Sequence, residues 1–249
     1  MLNDDLLTRV QQLGLHGLAV HWSEVNETIS LQTLVEWEEV ERQARGLNYR
    51  LKQAKLGRFK AMADFDWHWP KKCDREHIEE LLRLDFMSEN ANVILLGPNG
   101  VGKTTIAANI LYQAVLNGYH SLFVTASQML NDLASQDGDL ALSRRLKYYA
   151  KPALLCIDEM GYLSYSNRHA DLLFEIISRR YKKRSTVVTT NKPFIEWDQI
   201  FPNAACVISL VDRLVHTSES VIIEAESFRL KEAKERNGRR KKVTPEIPT

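Results

Sequence analysis

A chain of 249 residues, 44% hydrophobic and 26% charged with 11 Gly and 7 Pro, has room for one large α/β core plus a small appendage. That composition excludes collagen-like, low-complexity and wholly disordered readings, and 33 Lys and Arg against 32 Asp and Glu mean that an anionic partner can be argued only from local clusters. Cys73, Cys156 and Cys206 offer neither a disulfide framework nor a CxxC pair, the start MLNDDLL is acidic, and no apolar run approaches the roughly 18 residues of a membrane span, so the expectation is a cytoplasmic protein.

In chain order, Leu6, Leu7, Val10 and Leu13, closed by Gly14 and followed by Gly17, predict two short helices. Residues 30–56 read as a long amphipathic helix: at about 100° per residue, Val40, Ala44, Leu47, Leu51 and Ala54 share one sector. Arg42, Arg45, Arg50 and Lys52 lie off that sector. With Lys55, Arg58 and Lys60 they make seven basic residues and no acidic one between Arg42 and Lys60, so a basic arm follows a helix that frays near Leu56-Gly57. Residues 1–60 are expected to form a small all-helical module for contacts with DNA, a partner or other copies. Residues 61–242 form a second domain, and 243–249 a tail.

Beyond the connector Phe59–Pro70 the pattern changes. Short apolar runs at Val93–Leu96, Ser121–Val124, Leu154–Ile157 and Val187–Thr190 alternate with helical segments such as Thr104–Leu116 and Leu172–Tyr181. Runs of four or five residues, apolar throughout, suit strands buried on both faces, so the alternation predicts βαβ units and a three-layer α/β core with a parallel sheet. Phe65, Trp67 and Trp69, just ahead of this core, suit either a wall for a nucleotide base or a packed hinge. Past Glu226, Lys231–Lys242 carry seven basic and two acidic residues.

Gly97-Pro98-Asn99-Gly100-Val101-Gly102-Lys103-Thr104 satisfies GxxxxGK[ST] between an apolar run and a helical one. Glycines let such a loop wrap with its N–H groups turned toward phosphate, and the helix start adds favourable dipole. The expected ligand is ATP, bound by residues 97–104 together with Thr105 and Asp158. Lys103 would reach the β- and γ-phosphates, and Thr104 would ligate Mg²⁺. Leu154-Leu155-Cys156-Ile157-Asp158-Glu159 ends an apolar strand in two carboxylates: Asp158 suits a second Mg²⁺ anchor, and Glu159 suits the polarisation of an attacking water. Val187-Val188-Thr189-Thr190-Asn191 is a third strand end, where Asn191 either orients that water or senses the γ-phosphate, or merely exits the strand.

Arg179, Arg180, Lys182, Lys183 and Arg184 put five cations in six residues at a helix end, more than a helix dipole calls for. With the Arg42–Lys60 set and Lys231–Lys242 they are candidates for phosphate-backbone contacts with duplex DNA, a solvated charged face being the plainer reading of any one of them. The seven histidines form no HExxH or HxH pattern.

The phosphate loop, the Asp158-Glu159 pair and the Thr-Thr-Asn strand end occur in the order of the AAA+ ATPases. Cys156-Ile157-Asp158-Glu159-Met160-Gly161-Tyr162, Ser178-Arg179-Arg180-Tyr181, Val211-Asp212-Arg213-Leu214 and Glu226-Ser227-Phe228-Arg229-Leu230-Lys231 more narrowly resemble the IstB transposition helper proteins, relatives of the DnaC helicase loaders. Asn99 departs from the proline common in that family. The resemblance implies a P-loop AAA+ core and an ATPase stimulated by assembly into a homo-oligomer. It implies binding to duplex DNA largely independent of sequence, and targeting or stimulation of the transposase of the same insertion sequence. It further implies that Arg213 serves as an arginine finger in trans and Arg229 as a sensor. A DnaC-like replicative helicase loader is the alternative, and a P-loop small-molecule kinase a more distant one.

Overall fold

The computed structural model describes residues 4–25, 31–161, 165–201, 205–228 and 231. The chain divides into two compact units, Met1–Lys52 and Gln53–Thr249. The first is helical: α1 (Asp4–Gln12), α2 (His16–Val20) and most of α3 (Leu31–Ala54). Gly14 turns the chain between α1 and α2 at φ +72°. Gly17 is where α2 rests directly on α3, because a Cβ there would lie 2.2 Å from the Trp37 carbonyl oxygen. His21 stacks on Trp37 at 4.5 Å and the Leu18 N–H donates to Glu38 Oε1 at 3.1 Å.

The apolar sector expected along α3 is only partly used. Val40 is 63% exposed and Ala44 is exposed, whereas Ala54 is fully buried. The contacts from α2 fall around Trp37 and Glu38, which leaves the middle of the stripe uncovered. The helix stops at Ala54, where Lys55 at φ +54° and Gly57 at φ +63° turn the chain out of it.

The second unit runs α4 (Arg75–Leu81), β1 (Asn92–Leu96), α5 (Lys103–Leu116), β2 (Ser121–Thr125), α6 (Ala126–Ala134), α7 (Asp139–Ala150), β3 (Leu154–Met160), α8 (Asn167–Arg180), β4 (Ser185–Thr190), α9 (Trp197–Ile200), α10 (Val207–Val215) and β5 (Ser218–Ile222). The five strands pair in parallel in the order β2-β3-β4-β1-β5. Successive side chains of a strand point to opposite faces. Ile94, Leu155, Ile157 and Val188 enter one core with α6, α7, α8 and α10. Their neighbours Val93, Leu95, Cys156 and Val187, all buried, turn to the other face, where α5 packs with Ile106, Ala107, Ile110 and Leu111. Both faces are covered, which is why these strands read as unbroken apolar runs, and three layers result.

β5 was not among the predicted strands. Its sequence Ser-Glu-Ser-Val-Ile occupies the sheet edge and buries only Val221, so it lacks the apolar signal of its neighbours. The strand order matters for the chemistry: β4 lies between β1, which leads into the phosphate loop, and β3, which ends in the carboxylates. The crevice at the carboxyl ends of these strands is where ligands of parallel α/β sheets bind.

Candidate functional site

The loop after β1 carries Gly100 at φ +79° and Gly102 at φ +101°, and Gly102 caps the start of α5. A side chain at either position would be strained and would also collide, with Ser227 Oγ at 2.4 Å from a Cβ on Gly100 and the Phe65 ring at 2.6 Å from one on Gly102. The first N–H groups of α5 have no carbonyl partner within the helix and open toward the loop. Lys103 is 4% exposed, and its ammonium donates to the carbonyls of Gly97 and Pro98 at 2.6 and 2.7 Å. The buried cation therefore sits inside the curl of the loop, where phosphate oxygens would be seated.

Strand alternation sends Asp158 to the α5 face, where the Thr104 hydroxyl lies 3.1 Å from both of its carboxylate oxygens. Sequence separation is bridged here by the β1-β4-β3 layout. Asp158 is 3% exposed. The pair suits Mg²⁺, a hard cation that takes oxygen ligands and fills the rest of its shell from phosphate and water. Among the described residues no group of three or more His, Cys, Asp or Glu is gathered for a metal, so only such a shared shell is available.

The register between β3 and β4 shifts between Ile157 and Met160, a bulge that contains the carboxylate pair. Glu159 is at φ +62°, a conformation costly for a residue with a Cβ, and is only half-buried in an otherwise buried strand. The bulge breaks the strict alternation of the strand at two consecutive carboxylates. Thr189, on β4, holds this arrangement: its hydroxyl donates to Asp158 Oδ1 at 2.5 Å and accepts from the Glu159 N–H at 2.9 Å. Asn191 stands beside them. Its Oδ1 is buried with no hydrogen-bond partner among the described residues, and a Cβ on Gly161 would lie 2.9 Å from it, so the glycine at φ +95° leaves that amide its place.

A cleft beside the loop is lined by Lys60, Asp64, Phe65, Asp66, Trp69, Pro70, residues 100–105 and Phe228. Phe65 and Trp69 thus line the site, whereas Trp67 packs at a tilt against Phe65 at 4.7 Å and lies under Arg75 at 5.1 Å. The connector is pinned to α5 by Asn109, which donates to the Lys60 carbonyl at 2.8 Å and accepts from the Met62 N–H at 3.1 Å. The segment after β5 closes the other side. The Phe228 N–H donates to the Gly100 carbonyl at 3.0 Å, the Trp69 indole N–H donates to the Glu226 carbonyl at 2.8 Å, and Lys231 donates to Asp66 at 3.2 Å. That last bond holds the Asp66 carboxyl below its usual range. Phe228, Asn109 and Thr189 have no motif of their own: each was legible only as part of a helix, a strand or the run 226–231.

Arg213, on α10, packs against α8, with its guanidinium donating to the Ser178 hydroxyl and stacked 4.5 Å over the Phe174 ring. It does not line the cleft beside the phosphate loop. Arg229 lies outside the described residues, as do Tyr162 and residues 232–242.

The basic candidates separate by environment. Arg42, Arg45, Lys52, Lys55, Arg58 and Lys60 are exposed and Arg50 is half-buried. At the end of α8, Lys182, Lys183 and Arg184 are exposed, and Arg179 pairs with Glu175 at 2.7 Å. Arg180 requires a correction to its expected place on a DNA-binding face. It is 1% exposed, and its guanidinium donates to the carbonyls of Ala150, Pro152 and Ser185 and to the Thr186 hydroxyl. Burial pulls its pKa down to about 9, which still leaves it charged at neutral pH. No phosphate can reach it.

No helix among the described residues is long and apolar enough to cross a membrane. The family described as IstB-like ATP binding protein matches residues 8–236. The "Insertion sequence IS5376 putative ATP-binding protein" of Geobacillus stearothermophilus is 36% identical over 230 residues, covering 89% of this chain and 92% of that one. A protein of the same description from insertion sequence IS21 of Pseudomonas aeruginosa is 37% identical over 204 residues, 82% of this chain and 77% of the relative. In fold, the crystal structure of DnaI superposes with a TM-score of 0.56 at 18% identity, covering 70% of this chain and 92% of that chain. The replication initiator DnaA gives 0.55 at 20% identity, covering 72% and 54%.

Proposed function

This chain belongs to the IstB-like ATP-binding family, with an AAA+ P-loop fold, and we propose that it is an ATP-hydrolysing switch that assembles on duplex DNA and directs the transposase of its insertion sequence. The observation that carries the ATPase reading is the gathering of Thr104, Asp158 and the left-handed Glu159 around one strand end, beside a buried Lys103. In that reading Lys103 exchanges its two carbonyl partners for phosphate oxygens, and Thr104 and Asp158 hold Mg²⁺. Mg²⁺, when held by these two side chains, would supply positive charge against the phosphates. Glu159 takes a proton from the attacking water, and the Oδ1 of Asn191, which has no partner among the described residues, accepts a hydrogen bond from the same water and orients it.

Arg213 acts across a subunit boundary in this proposal, the role that the family resemblance implies, by leaving its contacts with Ser178 and Phe174. A guanidinium supplied in trans makes turnover conditional on assembly. Relatives named for insertion sequences support a transposase as the partner. The exposed cations at 42–60 and 182–184 support backbone contacts with duplex, which are independent of sequence and release counterions.

Anisotropy of a labelled random duplex, measured at several salt concentrations with and without a non-hydrolysable ATP analogue, tests the DNA half. The analogue should tighten binding, and log affinity should fall against log salt by about 0.9 per neutralised phosphate. Affinity indifferent to the analogue would remove ATP-controlled assembly on DNA and leave the ATPase reading standing.

A further inference from the structure

We infer that Thr189 is the positioning residue of the proposed hydrolytic centre: one hydroxyl sets both the rotamer of Asp158 and the backbone of Glu159. The inference rests on the ATPase reading and goes beyond it, since neither the phosphate loop nor the strand-end carboxylates call for a hydroxyl at this place. Thr189 is 1% exposed on the α5 face of β4, between the strand that leads to the loop and the strand that carries the carboxylates. Its hydroxyl is used in both directions. It donates to Asp158 Oδ1 and accepts from the Glu159 N–H at 2.9 Å.

Each bond answers a specific need. A carboxylate that must offer oxygens to a cation has several rotamers to choose from, and the Thr189 donor together with the Thr104 hydroxyl at 3.1 Å holds one. Glu159 is at φ +62° in a bulge, so its N–H has lost the ladder partner that a regular strand would supply. An N–H left without a partner in such a place is costly, and the Thr189 oxygen meets that need while holding the left-handed backbone of Glu159. Valine has nearly the same shape and supplies neither bond. Serine supplies both.

Thr189→Val, Thr189→Ser and the parent are compared by thermal unfolding, by Mg²⁺ titration of fluorescent ATP-analogue binding, and by steady-state hydrolysis. The valine variant is expected to fold and to bind the analogue within threefold of the parent at saturating Mg²⁺. It should need at least fivefold more Mg²⁺ for half-maximal binding and lose at least tenfold in kcat with KM little changed. Serine should restore both within threefold. A folded valine variant with parental Mg²⁺ dependence and parental kcat overturns the inference, and so does a folded serine variant as impaired as valine. If valine does not fold, Thr189→Ala is judged by the same criteria. Glu159→Gln measured alongside keeps the two ideas apart: parental turnover there removes the ATPase assignment itself, whereas lost turnover there with undisturbed Thr189 variants removes only this inference.

Discussion

Two buried cations of the second unit, Lys103 and Arg180, lie at opposite ends of the same parallel sheet and teach opposite lessons. Arg180 sits where α8 turns into the start of β4, and carbonyls of Ala150, Pro152 and Ser185 with the Thr186 hydroxyl enclose its planar fork. Those partners come from two chain segments, so the guanidinium closes the bottom of the sheet. Lys103 sits where β1 has ended and α5 begins, held by the carbonyls of its own loop. These two partners are local and the cleft beside it is open. Burial of a cation therefore marks a structural rivet in one case and, in the other, the group proposed to meet phosphate.

The largest expected effect breaks the first half of this contrast. Arg180→Ala should cost about 3 kcal/mol or more, because three carbonyls lose donors in a buried place. For a domain of this size that is roughly a 6–12 °C fall in Tm without nucleotide. A variant as stable as the parent would mean that the carbonyls find other partners, and the rivet would be no rivet.

The next effect concerns the other end. Lys103→Ala should lose at least tenfold in ATP affinity with a smaller loss of stability than Arg180→Ala, and Glu159→Gln should bind ATP within threefold of the parent while hydrolysis is lost. Equilibrium binding with a fluorescent nucleotide and phosphate release measure the two separately. Tight ATP binding by the alanine variant would show that the curl of the loop suffices without its cation.

The smallest effect on the fold sharpens the contrast within one sequence cluster. Replacing Lys182, Lys183 and Arg184 together by alanine should change unfolding by no more than about 0.5 kcal/mol per site. Binding to all duplex sequences should weaken alike, with the salt slope reduced by about 0.9 for each phosphate contact removed. Undiminished binding would assign the contacts to the Arg42–Lys60 set instead.

Much of the second unit was legible because buried parallel strands advertise themselves: Val93–Leu96, Leu154–Ile157 and Val187–Thr190 all lie inside observed strands. β5 was not legible, since an edge strand can be polar. In the first unit the apolar sector of α3 was legible as a pattern, but its exposure at Val40 was not, because periodicity says which residues share a face and not whether anything covers it.

The sequence by itself determined the phosphate loop and the carboxylate pair, since GxxxxGK[ST] and a strand ending in Asp-Glu are local patterns whose backbone consequences follow from glycine and from strand length. Tertiary structure alone decided that Thr189 meets Asp158 and Glu159, that Phe65 and Phe228 flank the loop, and that Arg180 leaves the basic surface its neighbours share. Local patterns record which groups are present and in what conformation, whereas hydrogen-bond partners thirty residues apart depend on which strand is inserted between two others. Strand order, set by packing of the whole sheet, is a property that no window of sequence contains.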